Sequence, residues 1–226
     1  MSFRRTRMNP EEQNKVLQAW QTSAPYWDKY RALITQMFAP ITTGLIEEAR
    51  IGVGRKVLDI GGGSGEPSLT ISGIVGPTGS VMFTDPAAGM VESAQAEAGR
   101  RGLTNIQFND VFDRFVESPT EDPDAPDAFR FAGPGKLAGI LKNAGAEIII
   151  ERQLDFQIEA AISFEQFWRL RTEMSESLRG KMAGLIPEKI EAIKQAVADG
   201  AQEYFSSGKM NFPAEALIVS GRKSAV

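Results

Sequence analysis

Val57-Leu58-Asp59-Ile60-Gly61-Gly62-Gly63-Ser64-Gly65 is the stretch on which the fold turns. Val57 to Ile60 is a short apolar run of the kind that forms a buried strand, and the glycines end it. Glycine puts no Cβ in front of the backbone, so it suits a chain that must turn sharply and admit a ligand closely. Pro67 to Val75 has helical character, and the N–H groups at its start favour a negative group beside the loop. Asp59 lies inside the strand, two residues before the first glycine, where a carboxylate can accept from an ammonium group. On glycines alone a dinucleotide site stays open. However, Gly61, Gly63 and Gly65 alternate, and a pyrophosphate fingerprint of the G-x-G-x-x-G type needs a glycine where Glu66 stands.

Outward from this loop the pattern alternates. Gly76-Pro77-Thr78-Gly79 reads as a turn, and Ser80 to Asp85 as a second strand ending in an acid. Met90 to Arg101 is an Ala- and Glu-rich helix stopped by Gly102, and Ile106-Gln107-Phe108 is a third short strand. Strand, glycine loop, helix, strand, helix, strand is the order of a parallel sheet with crossover helices. Upstream, residues 9–50 read as helical, opening at Asn9-Pro10-Glu11-Glu12, with Trp20, Tyr26, Trp27 and Tyr30 between two apolar stripes. They predict an N-terminal helical cap over 1–50, with its aromatics packed inside that layer.

After the third strand the character changes. Asp110 to Glu117 reads as a short amphipathic helix, and Ser118 to Asp127 as an acidic, proline-rich connector. Leu137 to Asn143 is helical, Glu147 to Glu151 is a strand that could run on to Phe156, and Ser163 with Gln166 resembles a capping box. The helix it opens carries Phe167, Trp168, Met174, Leu178 and Met182. Pro187 to Phe205 is another helix, and Ala216 to Gly221 a last strand.

Composition narrows the chemistry. The chain has 226 residues, 42% of them apolar, with a formal charge of −4, zero cysteines and zero histidines. Those values exclude disulfides, thiolate metal sites, thiol nucleophiles and imidazole bases. An acidic chain is a poor partner for nucleic acid, and no apolar run is long enough for a membrane span. The basic start lacks a following apolar segment, so it does not read as a secretory signal, and a cytoplasmic location is the default.

With these residues in hand, the sequence resembles the class I S-adenosylmethionine-dependent methyltransferases, closest to the small-molecule group of ubiquinone/menaquinone-type (methyltransferase type 11-like) enzymes. Their acid-x-G-x-G-x-G motif matches Asp59 through Gly65 at every required position. The resemblance implies an α/β fold, a Rossmann-like sheet with helices on both faces, over 51–226, with a helical lid inserted at about 163–206. It implies S-adenosyl-L-methionine as cofactor, S-adenosyl-L-homocysteine as product, and a small, apolar or aromatic acceptor. The cofactor residues it implies are Asp59, Gly61, Gly62, Gly63, Gly65, Asp85 for the ribose hydroxyls, Pro86 beside it, Met90 near the adenine, and Trp27. No catalytic base follows from it. Asp28, Glu165 and Glu173 are candidates, though a solvated surface role is the plainer one for each.

The pattern departs from the family at its centre. A strand-helix-strand segment, which in the family lies beside the glycine-loop strand, has no counterpart between Phe108 and the connector. The expected explanations are a segment outside this sequence, direct pairing of the last strand with the first, or completion by a second chain. Phe164, Phe167, Trp168, Met174 and Leu178 would suit a flat acceptor. Their plainer role is packing on the sheet or on a second copy in a homodimer. The rival function is a methyltransferase-like protein without catalysis, acting as a binding or assembly module.

Overall fold

The computed structural model describes residues 10–110, 131 and 133–223. The helix expected at 110–117 and the connector at 118–127 lie outside them, except for Asp110, which ends a strand.

The N-terminal layer is three helices: α1 (Pro10–Lys29), α2 (Arg31–Met37) and α3 (Ala39–Glu48). Strands β1 (Lys56–Ile60), β2 (Ser80–Asp85) and β3 (Ile106–Asp110) form a parallel sheet in the order β1-β2-β3, with Asp59 opposite Phe83 and Phe83 opposite Phe108. Helices α4 (Ser68–Val75) and α5 (Ala88–Arg100) are the crossovers. Both lie over the face that carries Val81 and Phe83. Leu69, Ile71 and Val75 from α4 meet Val91, Ala94 and Ala98 from α5 in one buried cluster. Asn105 closes the far end of α4, donating from Nδ2 to the carbonyls of Ser72 and Gly76 at 2.9 and 2.8 Å.

The opposite face of this sheet carries Leu58, Ile60 and Met82, and all three stay exposed among the described residues. β1 pairs with β2, and no described strand lies on its other edge. The chain continues through α6 (Lys136–Asn143), β4 (Ala146–Ala160), α7 (Phe164–Met174), α8 (Glu176–Ala183), α9 (Pro187–Gly200), β5 (Phe205–Ser206) and β6 (Lys209–Lys223). These strands make a separate antiparallel sheet, β4-β6-β5. The last strand therefore pairs with β4 and β5 and not with β1. A cleft of about 1090 Å³ separates the two sheets, lined by Leu58 on one side and Ile150 and Ile218 on the other.

The single helix expected to carry Phe167 through Met182 is broken at Ser175. Its Oγ accepts from the N–H of Leu178, at 3.3 Å, and so starts α8 afresh. Phe167 packs with Phe205 and Phe212 against Met37, Ala160 and Met210, which joins α7 and α2 to the second sheet. No described helix is long and apolar enough to cross a membrane.

Candidate functional site

Parallel strands joined by crossovers all end at one edge, so the loops after β1 and β2 meet there. The glycine loop is held to β2 by its own backbone: the N–H groups of Gly61 and Gly62 both donate to the Thr84 carbonyl, at 2.9 and 3.1 Å. Thr84 Oγ1 returns a bond to the Asp59 carbonyl at 2.9 Å.

The glycines do different jobs. Gly61 and Gly63 take φ values of +79° and +59°, the left-handed region, and a Cβ on either would meet nothing within 4 Å. Open space lies before them. Gly62 is excluded from bearing a side chain by packing, since a Cβ there would stand 2.2 Å from the Phe83 ring. At Gly65 a Cβ would meet Leu69 at 2.6 Å.

Asp85 is buried and ties the two loops together. Its Oδ2 accepts from the Gly63 N–H at 2.9 Å, and its Oδ1 from the Ala87 N–H at 2.8 Å. Asp59 lies beneath the loop, its Oδ2 accepting from Ser68 Oγ at 2.7 Å. Burial pushes the Asp59 carboxyl above the usual carboxylate range; the Ser68 bond opposes the rise and the Asp85 charge adds to it.

In front of the loop lies a cavity of about 430 Å³. Trp27, Gly61, Gly62, Gly63, Asp85, Pro86 and Met90 line it; Asp59 and Gly65 do not, Gly65 lying against Leu69 and Ala94 instead. Met90 is buried against Ala24 and Ala87, with Leu17 and Trp27 packed on that cluster. Gln21 Oε1 accepts from the Gly89 N–H at 2.9 Å, so α1 fixes the start of α5 as well as walling the cavity.

The candidate bases are all engaged elsewhere. Asp28 accepts from Arg31 and Ser93, and the Arg31 hydrogen bond is the main cause holding its carboxyl below the usual range. Glu173 accepts from Lys29 at 2.5 Å and from Tyr30 at 2.7 Å, and the Lys29 bond lowers its carboxyl too. Glu165 pairs with Lys194 at 2.8 Å. A lowered carboxyl is a poorer proton acceptor, and none of the three lines the cavity. Among the described residues no group of acids resembles a metal site.

Sequence reasoning missed Arg31, which is buried and lines the same cavity. It carries no local motif: a cation opening an amphipathic helix reads as solvent-facing until the tertiary contacts are known.

A parallel strand-loop-helix unit with an acid at the end of its second strand and an aromatic-walled cavity over its glycines defines a Rossmann-like α/β protein. The sequence profile of the ubiE/COQ5 methyltransferase family matches residues 12–131, and the chain belongs to that family. It is similar to aklanonic acid methyltransferase DauC of Streptomyces sp. (strain C5), with 36% identity over 94 residues, 42% of this chain and 41% of that protein. It is also similar to the ubiquinone/menaquinone biosynthesis C-methyltransferase UbiE of Ectopseudomonas oleovorans, with 38% identity over 64 residues, 28% of this chain and 38% of that protein. The chain thus spans about two-fifths of the length of these curated relatives. Among solved structures, the YcgJ protein of Bacillus subtilis overlaps 81% of this chain and 99% of its own at 13% identity and a TM-score of 0.46.

Proposed function

We propose that this protein binds S-adenosyl-L-methionine in the cavity over the glycine loop and transfers its methyl group to a small, apolar or aromatic acceptor. The observation that carries this reading is the open, Cβ-free approach at Gly61 and Gly63, faced by Asp85 and walled by Trp27 and Met90. The names of the relatives, which refer to aklanonic acid and to ubiquinone/menaquinone biosynthesis, support a small-molecule acceptor.

When bound, the cofactor supplies a carbon already activated by a sulfonium, so the protein contributes mainly positioning and exclusion of water. Asp85, which holds Gly63 in place, would accept from the sugar hydroxyls. Met90 and Trp27 give the base an apolar, polarizable wall. Asp59, from beneath the loop, supplies negative charge towards an ammonium group. The absence of histidine fits this chemistry better than it would fit acyl transfer.

A second reading, a binding or assembly module without turnover, is favoured by the edge of β1 that no described strand covers. Titration calorimetry with S-adenosylmethionine, joined to a turnover assay on aromatic and lipid-like acceptors, separates the two. Saturable binding with methyl transfer is expected; tight binding without transfer to any acceptor favours the module. Gly63→Val, which puts a branched side chain at a left-handed position in the cavity, should abolish binding, and unchanged binding would place the cofactor elsewhere.

A further inference from the structure

Strand β1 is paired on one side only among the described residues, and its hydrogen bonds show which backbone groups face outward. The Arg55 carbonyl accepts from the Ser80 N–H at 3.0 Å, and the Gly61 N–H donates to the Thr84 carbonyl at 2.9 Å, both towards β2. Residues alternate along a parallel ladder, so Val57 and Asp59 also turn their N–H and C=O to β2. Lys56, Leu58 and Ile60 therefore present theirs to the open edge. The side chains of Leu58 and Ile60 are 57% and 74% exposed. An edge of this kind is a template for another strand unless charge, a bulge or a covering element blunts it.

The cleft beside that edge says what kind of strand fits. It holds about 1090 Å³, with Leu58 on one side and Ile150 and Ile218 on the other. Because the second sheet closes its far side, the space suits one extended segment. A second copy's β1 would bring its β2 along, and the second sheet stands in the way. The acids of the cleft are already engaged or faced: Arg152 reaches Glu47 at 3.4 Å and Glu48 at 3.1 Å, and Glu147 stands opposite Arg222 in the β4–β6 register. Arg50, together with Arg55 and Lys56 at the start of β1, also lines the cleft. All three are exposed, and none closes an ion pair among the described residues. These cations gather there although the whole chain carries a net charge of −4.

We propose that the β1 edge binds an extended apolar segment of a partner protein, antiparallel to β1 and acidic at its C-terminal end. Antiparallel pairing is the more stable per residue, and it sets the last residues of the added strand beside Arg55 and Lys56. Backbone bonds to Lys56, Leu58 and Ile60 hold the segment, its alternate apolar side chains cover Leu58 and Ile60, and the cations select the acidic end. The inference is independent of whether the cavity over the glycine loop supports methyl transfer.

The test is fluorescence anisotropy on the full chain with an end-labelled peptide, Thr-Val-Thr-Val-Glu-Glu. Binding should saturate and weaken with salt, and a peptide ending in Lys-Lys should bind at least about 10-fold more weakly. The double variant Arg55→Glu, Lys56→Glu, changed only at exposed positions, should reverse that preference. N-methylation of one alternate set of peptide residues should abolish binding, and methylation of the other set should leave it within about 3-fold, since only one set faces β1. Equal binding of the acidic and basic peptides by the wild type would overturn the proposal, and so would an equal effect of the two methylated sets. Failure of every peptide to bind would mean that the edge is covered from within the chain, which also overturns it. Sedimentation velocity without peptide should show a monomer; a dimer that the peptide dissociates would make the occupant a second copy and overturn the partner assignment.

Discussion

Strand β2 runs between two parallel neighbours and hides Val81, Phe83, Thr84 and Asp85, whereas β4 alternates between half-buried and exposed along most of its length. Among the described residues the two sheets have the same number of strands and solve different problems. Crossover connections in the first bring each strand's end to one edge, so loop residues from separate parts of the chain converge there. The second sheet pairs two 15-residue strands directly and buries one side of them against α2, α3 and α7. That side of it is taken up by packing. The candidate site therefore lies where the connections are long, and the plainer packing where two long strands pair edge to edge.

The sharpest way to break this contrast is at matched glycines. Gly62→Val drives a side chain into Phe83 and should cost about 3 kcal/mol, the upper range for overpacking, together with all measurable cofactor binding. Gly208→Ala, in the turn between β5 and β6, sits at φ +73° with no atom within 4 Å of the new Cβ. It carries only the left-handed penalty of roughly 1–2 kcal/mol and should leave binding unchanged. Thermal melts and calorimetry on both variants decide the matter; a loss of binding in Gly208→Ala would mean that the second sheet takes part in the site.

Asp59 makes a subtler division, between stability and binding within one residue. Its folded-state carboxyl is raised by burial, so the neutral form supports the fold below the ordinary carboxylate range, and that support is lost as pH rises through the raised value. Asp59→Asn removes the charge and keeps an acceptor for Ser68. Without ligand it should melt higher than the wild type at neutral pH, and the gap should close as pH falls towards the ordinary aspartate range. The same variant should also bind S-adenosylmethionine more weakly, since the charge beneath the loop no longer acts on an ammonium group in the cavity. A lower melting point at neutral pH would show that the charge is needed by the fold itself.

How much of this was legible follows the same line between the halves. The strand-loop-helix order, the three parallel strands and the acids at 59 and 85 were readable, because each is written in a few adjacent residues: an apolar run, a glycine, an acid at a strand end. The loop's division of labour was not. Which glycine leaves open space for a side chain and which would strike a neighbour depends on where Phe83 falls across the register from Asp59, a tertiary fact. Arg31 was invisible for the same reason, since its partners at 64 and 93 are remote in sequence. In the second half, the single helix expected to carry Phe167 through Met182 is two helices, because Ser175 caps a second one. The separation of the two sheets could not be read at all, because pairing along a strand edge leaves no local mark.

The smallest effect is expected where the second half was most legible. Ser163 caps α7 by accepting from the Gln166 N–H at 3.3 Å, and Gln166 Oε1 accepts from the Ser163 N–H at 2.9 Å. Two otherwise unpaired helix-end donors are satisfied by one reciprocal pair. Ser163→Ala removes one of these bonds and should cost about 1 kcal/mol. α7 carries Phe167 into the cluster with Phe205 and Phe212, so this loss falls on the second sheet. The cavity over the glycine loop is lined from α1, α2, β2, α5 and the loop itself, with no residue from α7. The variant should therefore melt lower while binding S-adenosylmethionine with unaltered affinity. If affinity fell in step with stability, the halves would act as one cooperative unit, and the assignment of packing to one and chemistry to the other would have to be given up.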